Sequence, residues 1–593
     1  MPKPAFHPSI VFVISLLLMP SLRSANAQGT SIEGLWGTEI VLGAPVAGQL
    51  TIDGRRGKWL ASIDGYTVSA SLSNGILAFS LPGDKGAFRG HPESTKQELE
   101  GKWIQPSGLI LDSKYASPVS FRRVLPKVWR GNVVPLQERF SAYLLISLKD
   151  GKLSAVASNP EGNFFRRRVY QATQQGNSVL LEANGKKFAG TYDDESKTLT
   201  IQLADWLPVF RLTRRTNKDA VGYYPRLGEE LASWKYRKPL PRDDGWAVSD
   251  LQREGVSEPQ VAKLIEHLLQ ADPADTSLRT QSLLIARHGK LVLEEYFYGF
   301  SQDRVHDMRS AGKTFAPVLV GLARKQGVDI RPATLVYPLF AQEGPFANLD
   351  DRKTEMKLRD IMTMTAGNAC DDEDDASPGN EDRMQSDPRQ PDWYKYTLDL
   401  PMKTRPGGAQ AVYCSGDLNL VGGAVAATTH AWLPDFFEEH LARPLQFGKY
   451  YLNLMPNGQA YMGGGAYLLP RDQLKLGQLY LDRGVWNGRR LVDSDWVKES
   501  TSLHAEFARD RSLSHEHGYG FGWHLHHLQD GNHGKVYEVF AAEGNGGQFV
   551  IVVPVLDMVI GITGGAYGEF DQWYRWELEL VPHFILPAVE GLP

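Results

Sequence analysis

The feature that most constrains this chain is a change of hydrophobic period part-way along it. From about residue 34 to 215 the sequence is written in short alternating apolar and polar runs broken by Gly, Asn and Asp, such as 48–52 (GQLTI), 75–81 (GILAFSL) and 178–182 (SVLLE). A period of two sends alternate side chains to opposite faces of a strand, so this stretch is all-β. It also repeats itself at a spacing of roughly 90 residues. Leu35-Trp36-Gly37 matches Val128-Trp129-Arg130-Gly131, and Gly57-Lys58-Trp59-Leu60-Ala61 matches Gly151-Lys152-Leu153-Ser154-Ala155. Phe88-Arg89-Gly90 matches Phe188-Ala189-Gly190, and 118–122 (PVSFR) matches 208–212 (PVFRL). Two related β units are expected, as small barrels or one larger closed sheet, because closure removes exposed strand edges. Neither unit carries a grouping of residues able to do chemistry, so both are expected to be dispensable for it.

A polar connector containing YRKPLPRDDGW follows. The expected organisation is a leader at 1–27, β units at 28–126 and 127–215, a linker at 216–250 and a final domain at 251–593. That domain opens with Ser257-Glu258-Pro259-Gln260, a capping-box-like start, and Val261, Leu264, Ile265, Leu268 and Leu269 at helical spacing. Residues 282–300 read as two strands joined at His288-Gly289. The middle is helical and rich in loops. Strand signals return at 519–526, 536–541 and 548–563, before an amphipathic aromatic segment at 572–586. Strands from both termini around a helical middle imply an α+β domain, an antiparallel sheet flanked by helices with a helical subdomain beside it.

Lys3, the apolar run 10–19 and Ala25-Asn26-Ala27 have the layout of a cleavable secretory leader. That run is too short for a bilayer, which needs roughly 20 residues. The expected location is therefore periplasmic or secreted, with no membrane anchor once the leader is removed. A formal charge of −5 on 593 residues gives no reason to expect nucleic acid as a partner. Two cysteines, Cys370 and Cys414, cannot make a four-ligand structural zinc site alone and are compatible with one disulfide.

The segment that carries chemistry is Met308-Arg309-Ser310-Ala311-Gly312-Lys313-Thr314-Phe315, which runs into 316–321 (APVLVG). Three residues is nearly one helical turn, so Ser310 and Lys313 project from one face. A serine hydroxyl is a poor nucleophile near neutral pH and needs a base in hydrogen-bond reach; lysine serves only if its surroundings lower its pKa. Pro317 sits awkwardly inside the expected helix, which must kink or start late. Further on come Pro406-Gly407-Gly408, Val412-Tyr413-Cys414-Ser415, and Glu543-Gly544-Asn545-Gly546-Gly547-Gln548-Phe549 leading into an apolar strand.

These three elements, in this order, resemble the serine β-lactamase and penicillin-binding-protein superfamily. The resemblance covers roughly 245 to the end of the chain and is closest to the class C-like branch of esterases and 6-aminohexanoate-oligomer hydrolases. It implies a β-lactamase/transpeptidase-like domain and an acyl-enzyme on Ser310, with Lys313 and Tyr413 handling the proton; which of the two is the base stays open. The backbone N–H groups of Ser310 and Gln548 would form the oxyanion hole. Ser415, Asn545, Gly546 and Gly547 would face substrate. The chain departs from the family pattern twice. Ser415 stands where Asn is more usual, and Asn545 where a Lys or His is, which weakens the case for a substrate carboxylate. With export and both cysteines beside segments bordering the site, a Cys370–Cys414 disulfide is expected. The expected function is hydrolysis of an ester or amide in a small-molecule or peptide-like substrate, without cofactor or metal. A D-amino-acid peptidase, a β-lactamase and a catalytically silent cell-wall-peptide binder are the alternatives.

Seven of the 15 histidines lie between His504 and His533. His524 and His526 would share one strand face, but the spacing matches no zinc-hydrolase motif, so these side chains are expected at the surface or the cleft rim. The acidic run 371–375 (DDEDD) is expected as a solvated loop, its charges biasing a neighbouring cleft against anions.

Overall fold

The computed structural model describes residues 31–43, 45–92, 98–111, 113–165, 168–231, 233–272, 278–507 and 518–589. The leader expected at 1–27, and His515 and His517, lie outside them.

The N-terminal half forms two eight-stranded closed sheets, but each barrel is completed by a strand from the other repeat. The first is built from strands between Gly48–Asp53 and Lys114–Leu125 and is closed by Val128–Val133, which pairs with both. The second runs from Arg139–Lys149 to Val209–Arg215 and is closed by Gly34–Val41. A division between residues 126 and 127 therefore cuts across both barrels. The matched motifs explain the exchange. Trp36 and Trp129 occupy equivalent closing strands, and each is buried in the core of the barrel it closes.

The C-terminal domain has a ten-stranded sheet that interleaves both ends of the domain. Thr280–Arg287 pairs with Lys290–Tyr296 on one side and Met558–Gly564 on the other; Gln548–Val553, Val536–Gly544 and His524–Gln529 follow. The hairpin turn falls at His288 and Gly289, both with positive φ, as a type I′ connection requires. Both faces are covered. Leu284 and Ala286 face a core shared with the helices Phe315–Lys325 and Pro470–Leu481, whereas Leu283 and Ile285 face Glu258–Leu269 and the C-terminal helical segment Trp576–Ile585. Ser257 is the N-cap of Glu258–Leu269 but makes no side-chain cap bond. No helix among the described residues is long and apolar enough to cross a membrane.

The barrels do not hang from the connector. The N-terminal end of the 12-residue strand Lys114–Leu125 keeps one edge in its barrel, and its other edge, beyond the reach of Val128–Val133, pairs with Tyr451–Leu454 of the C-terminal domain. That strand pairs with Ala466–Leu468, which pairs with His306–Asp307, just ahead of Ser310. One backbone ladder thus runs from the first barrel to the segment that carries the nucleophile candidate. The loop of the second barrel at 159–163 docks beside it. Gln281 Nε2 donates to the Pro160 carbonyl at 2.5 Å, Arg279 Nη1 to Asn163 Oδ1 at 2.8 Å, and Asn163 Nδ2 to the Tyr567 carbonyl at 2.9 Å.

Cys370 and Cys414 form a disulfide with Cα atoms 5.5 Å apart, closing a loop across 44 residues. It joins the acidic loop to the residue after Tyr413.

Two expectations follow. A chain beginning near Ala220 leaves the edge of Tyr451–Leu454 unpaired and removes the Asn163 and Pro160 contacts of Arg279 and Gln281, so it should be recovered largely as aggregate and lose reaction with a serine probe. A soluble, folded and probe-reactive truncation would show that the ladder is not needed. Cys370→Ser with Cys414→Ser should lower unfolding free energy by roughly 4 kcal/mol, the loop-closure value for this separation. Denaturant unfolding of the double variant measures it.

Candidate active site

Ser310 lies in a 3-10 stretch, Arg309–Thr314, which leads directly into the helix Phe315–Lys325. The late start of the α-helix resolves the difficulty with Pro317, which falls in the first turn, where its missing N–H leaves no hydrogen bond unmade. Arg309 takes a positive φ of 47° just before the serine. Such a conformation is unfavourable for a side chain of this size and persists only where neighbours impose it. Here Asp307 does so, accepting from the Arg309 N–H at 2.9 Å and pairing with its guanidinium at 2.9 Å.

Lys313 Nζ donates to Ser310 Oγ at 2.8 Å. The lysine is 2 % exposed, and its Nζ stands 4.9 Å above the ring of Tyr413. Burial acts to lower the pKa of Lys313, but the Tyr413 oxygen, Glu381 and Asp372 outweigh it, so the net displacement is upward. The environment is thus not the pKa-lowering one that a free lysine base requires. Burial raises Tyr413, with Lys313 and Ser310 pulling back in part. Each group's charge sets the other's proton affinity, so titration belongs to the pair.

The acidic loop is not wholly solvated. Asp372 turns inward, and its Oδ2 accepts from both the N–H and the hydroxyl of Ser415 at 2.7 Å. The Asp372 N–H donates to the Tyr413 carbonyl at 2.9 Å, and its Oδ1 accepts from the Glu381 N–H at 2.9 Å. Burial, then Glu381, pushes the Asp372 carboxyl up to about 6, against the opposing pull of Lys313 and Ser415. Glu381 is held in turn by the Tyr461 hydroxyl at 2.5 Å. Ser415 is fully buried with its hydroxyl on Asp372, so it positions that carboxylate rather than facing substrate.

Gln548 begins the strand that follows the Gly-rich turn, and its side-chain amide donates to the Gly564 carbonyl at 2.6 Å. Gly546 and Gly547 have φ of 94° and 92°, open to glycine and strained for other residues. Asn545 Oδ1 accepts from the Gly568 N–H at 2.8 Å, which ties the turn to its neighbour. Gly544 must be glycine. A β-carbon there would lie 2.4 Å from the Met308 carbonyl oxygen and 3.0 Å from the Ala311 nitrogen, so the Gln548 turn packs directly on the Ser310 segment.

Ser310, Lys313, Tyr413 and the Gln548 turn are therefore brought together. The histidine expectation is corrected. His526 is 2 % exposed, His524 is only partly exposed, and both lie against Glu543 rather than at the cleft rim. Sequence reasoning also missed Asp372 and Glu381. The adjacency of Asp372 to Cys370, and of Tyr413 to Cys414, was the available signal for the former.

The model of the family described as Beta-lactamase matches residues 261–576. A 6-aminohexanoate-dimer hydrolase from Paenarthrobacter ureafaciens is 24% identical over 282 residues, covering 46% of this chain and 68% of that protein. Among solved structures, a penicillin-binding protein homologue from Caulobacter crescentus aligns with a TM-score of 0.43 and 14% identity, over 56% of this chain and 99% of its own. A D-stereospecific amidohydrolase from Streptomyces aligns with a TM-score of 0.40 and 16% identity, over 53% and 98%. The family match takes in more than half of the chain, including the segments that bring Ser310, Lys313 and Tyr413 together, and on that ground the chain belongs to the Beta-lactamase family.

Proposed function

We propose that this chain is an exported serine hydrolase that cleaves ester or amide bonds through an acyl-enzyme on Ser310. The observation that carries the reading is the contact of 2.8 Å between Ser310 Oγ and a buried Lys313 ammonium that also faces Tyr413. In the first step Ser310 Oγ bonds to the substrate carbonyl carbon while its proton passes to the Lys313–Tyr413 pair, which accepts it in the form that has already given up one proton to solvent. The negative oxygen that develops is received by the backbone N–H groups of Ser310 and Gln548, the kind of preorganised donor worth about 3–4 kcal/mol in acyl transfer. Collapse expels the alcohol or amine, which takes the proton back. Water then repeats the sequence on the ester of Ser310 and releases the acid.

The curated relative is named for hydrolysing the 6-aminohexanoate dimer, which supports a linear amide or ester over a strained lactam. The side chains point the same way. Asn545 stands where a cation would meet a substrate carboxylate, and Asp372 and Glu381 place negative charge beside Lys313. Export rests on the leader pattern at 1–27 and on the Cys370–Cys414 bond, which persists in oxidising compartments.

Ser310→Ala should abolish labelling by a fluorophosphonate and lower ester turnover by more than about 1,000-fold, with the fold intact by circular dichroism. Turnover within about tenfold of wild type would remove Ser310 from the mechanism, and an unlabelled wild-type chain would favour a silent binding protein. Lys313→Ala and Tyr413→Phe should each lower turnover by at least about 100-fold.

The charge of Asp372 gives a signed expectation. A negative neighbour raises the pKa of a cation, so removing it in Asp372→Asn lets the Lys313–Tyr413 pair release its proton at lower pH. The limb of the kcat/KM profile that reports this pair should therefore move to lower pH. A profile unchanged in position, or moved upward, would show that Asp372 does not act on the pair.

A further inference from the structure

Two imidazoles and two carboxylates outside the Ser310 machinery meet below the Gly-rich turn. His524 and His526 come from one face of the strand His524–Gln529, Glu543 from the neighbouring strand Val536–Gly544, and Glu577 from the C-terminal segment Trp576–Ile585. The imidazole rings lie within 2° of parallel. His526 Nε2 is 2.5 Å from Glu543 Oε1 and 3.4 Å from Glu577 Oε1, and His524 Nδ1 is 3.8 Å from Glu543 Oε1. One ligand-type atom from each of His524, His526 and Glu543 lies within 4.8 Å of the others. Glu543 is 5 % exposed and Glu577 fully buried. The carboxyls of Glu577 and Glu543 are in hydrogen-bond contact with each other, and among the described residues no other group donates to Glu577.

Two ionised carboxylates cannot share a dry interior without compensating positive charge or a shared proton. Two neutral imidazoles and one carboxylate are a donor set for a divalent cation, and the second carboxylate makes the resulting site electrically neutral. Imidazole nitrogens exclude calcium and magnesium, which take oxygen ligands, and favour zinc and its neighbours. Ligand atoms about 2.0–2.1 Å from a tetrahedral zinc stand roughly 3.3 Å apart. The 3.8 Å separation of His524 from Glu543 lies close to that spacing, and the 2.5 Å pair of His526 and Glu543 reaches it by opening less than about 1 Å.

We propose that His524, His526 and Glu543 bind one zinc-class divalent cation, with the Glu577 carboxylate beside His526 as their close support. The role of the cation is to fasten the C-terminal segment to the strand that ends at Gly544, and so to brace the turn packed against Ser310. It takes no part in the acyl-transfer steps, so the proposal stands or falls separately from Ser310.

The test uses the full-length chain purified from zinc-supplemented medium without a metal-affinity tag. Elemental analysis should find about one zinc per chain. Chelator should lower Tm and added Zn²⁺, but not Mg²⁺, should restore it, as expected for a ligand that binds only the folded state. Co²⁺ added to the stripped protein should give the visible absorption of a tetrahedral site. His524→Ala and Glu577→Gln should each reduce bound zinc at least about tenfold, the scale for losing a ligand or its close support. Substoichiometric zinc in the wild type, together with a Tm that neither chelator nor Zn²⁺ moves, would overturn the proposal and leave a cluster held by shared protons. Zinc retained in full by both variants would overturn it equally, since the metal would then lie elsewhere.

Discussion

The organisation of this protein depends on a charge held out of water. An ammonium taken into a protein interior loses several kcal/mol of solvation, which neighbouring polar groups must offset. Lys313 is such a group, and each larger feature of the C-terminal domain delivers one of its partners. The 3-10 stretch Arg309–Thr314 places Ser310 Oγ on it. The segment before the helix Ser415–Thr429 brings the Tyr413 ring over it, and the inward turn of Asp372 brings Glu381 alongside through a backbone hydrogen bond. The disulfide lies where two of these deliveries must agree, since it joins the residue after Tyr413 to a residue two before Asp372. A buried cation that needs four groups from three segments makes their mutual placement a condition of folding.

The candidate reacting side chains were legible because they are local. Ser310 and Lys313 are one turn apart, and Tyr413 sits beside its cysteine, so chemistry and spacing are written in adjacent residues. The His288-Gly289 hairpin was legible for the same reason. What escaped was set by contacts distant in sequence. Asp372 reads as one carboxylate among five in a polar run, and only the return of the chain at Ser415, 43 residues on, turns it inward. His526 reads as one of several histidines, and its burial comes from Glu577, which lies in the C-terminal helical segment.

The barrels give a different kind of example. Their repeat was visible, yet the partition of strands was not, because equivalent strands are interchangeable by design of the repeat. Gly34–Val41 and Val128–Val133 each carry a tryptophan that fills a barrel core. Hydrophobic pattern cannot assign such a strand to one barrel or the other. Connectivity decides it. The strand Lys114–Leu125 turns directly into Val128–Val133, which closes the first barrel and leaves Gly34–Val41 to close the second. The exchange crosses the chain twice between the barrels, so they fold as one body rather than as beads on a linker.

That body matters to the site through geometry. A preorganised constellation must be held to within about 0.5 Å, a tolerance that loops alone seldom meet. The two proposed oxyanion donors are carried by separate parts of the chain, Ser310 by a segment docked on the barrel ladder and Gln548 by a turn at the end of the long C-terminal hairpin. They meet where Gly544 touches the Met308 carbonyl and the Ala311 nitrogen so closely that no β-carbon fits. With no side chain between them, the spacing of the donors is set by backbone against backbone, the least compressible contact available. The first barrel supports one side of that contact through Asp307, and the strand bearing Glu543 supports the other. The N-terminal half, which carries no reactive group, thereby shares in fixing the distance on which acyl transfer would depend.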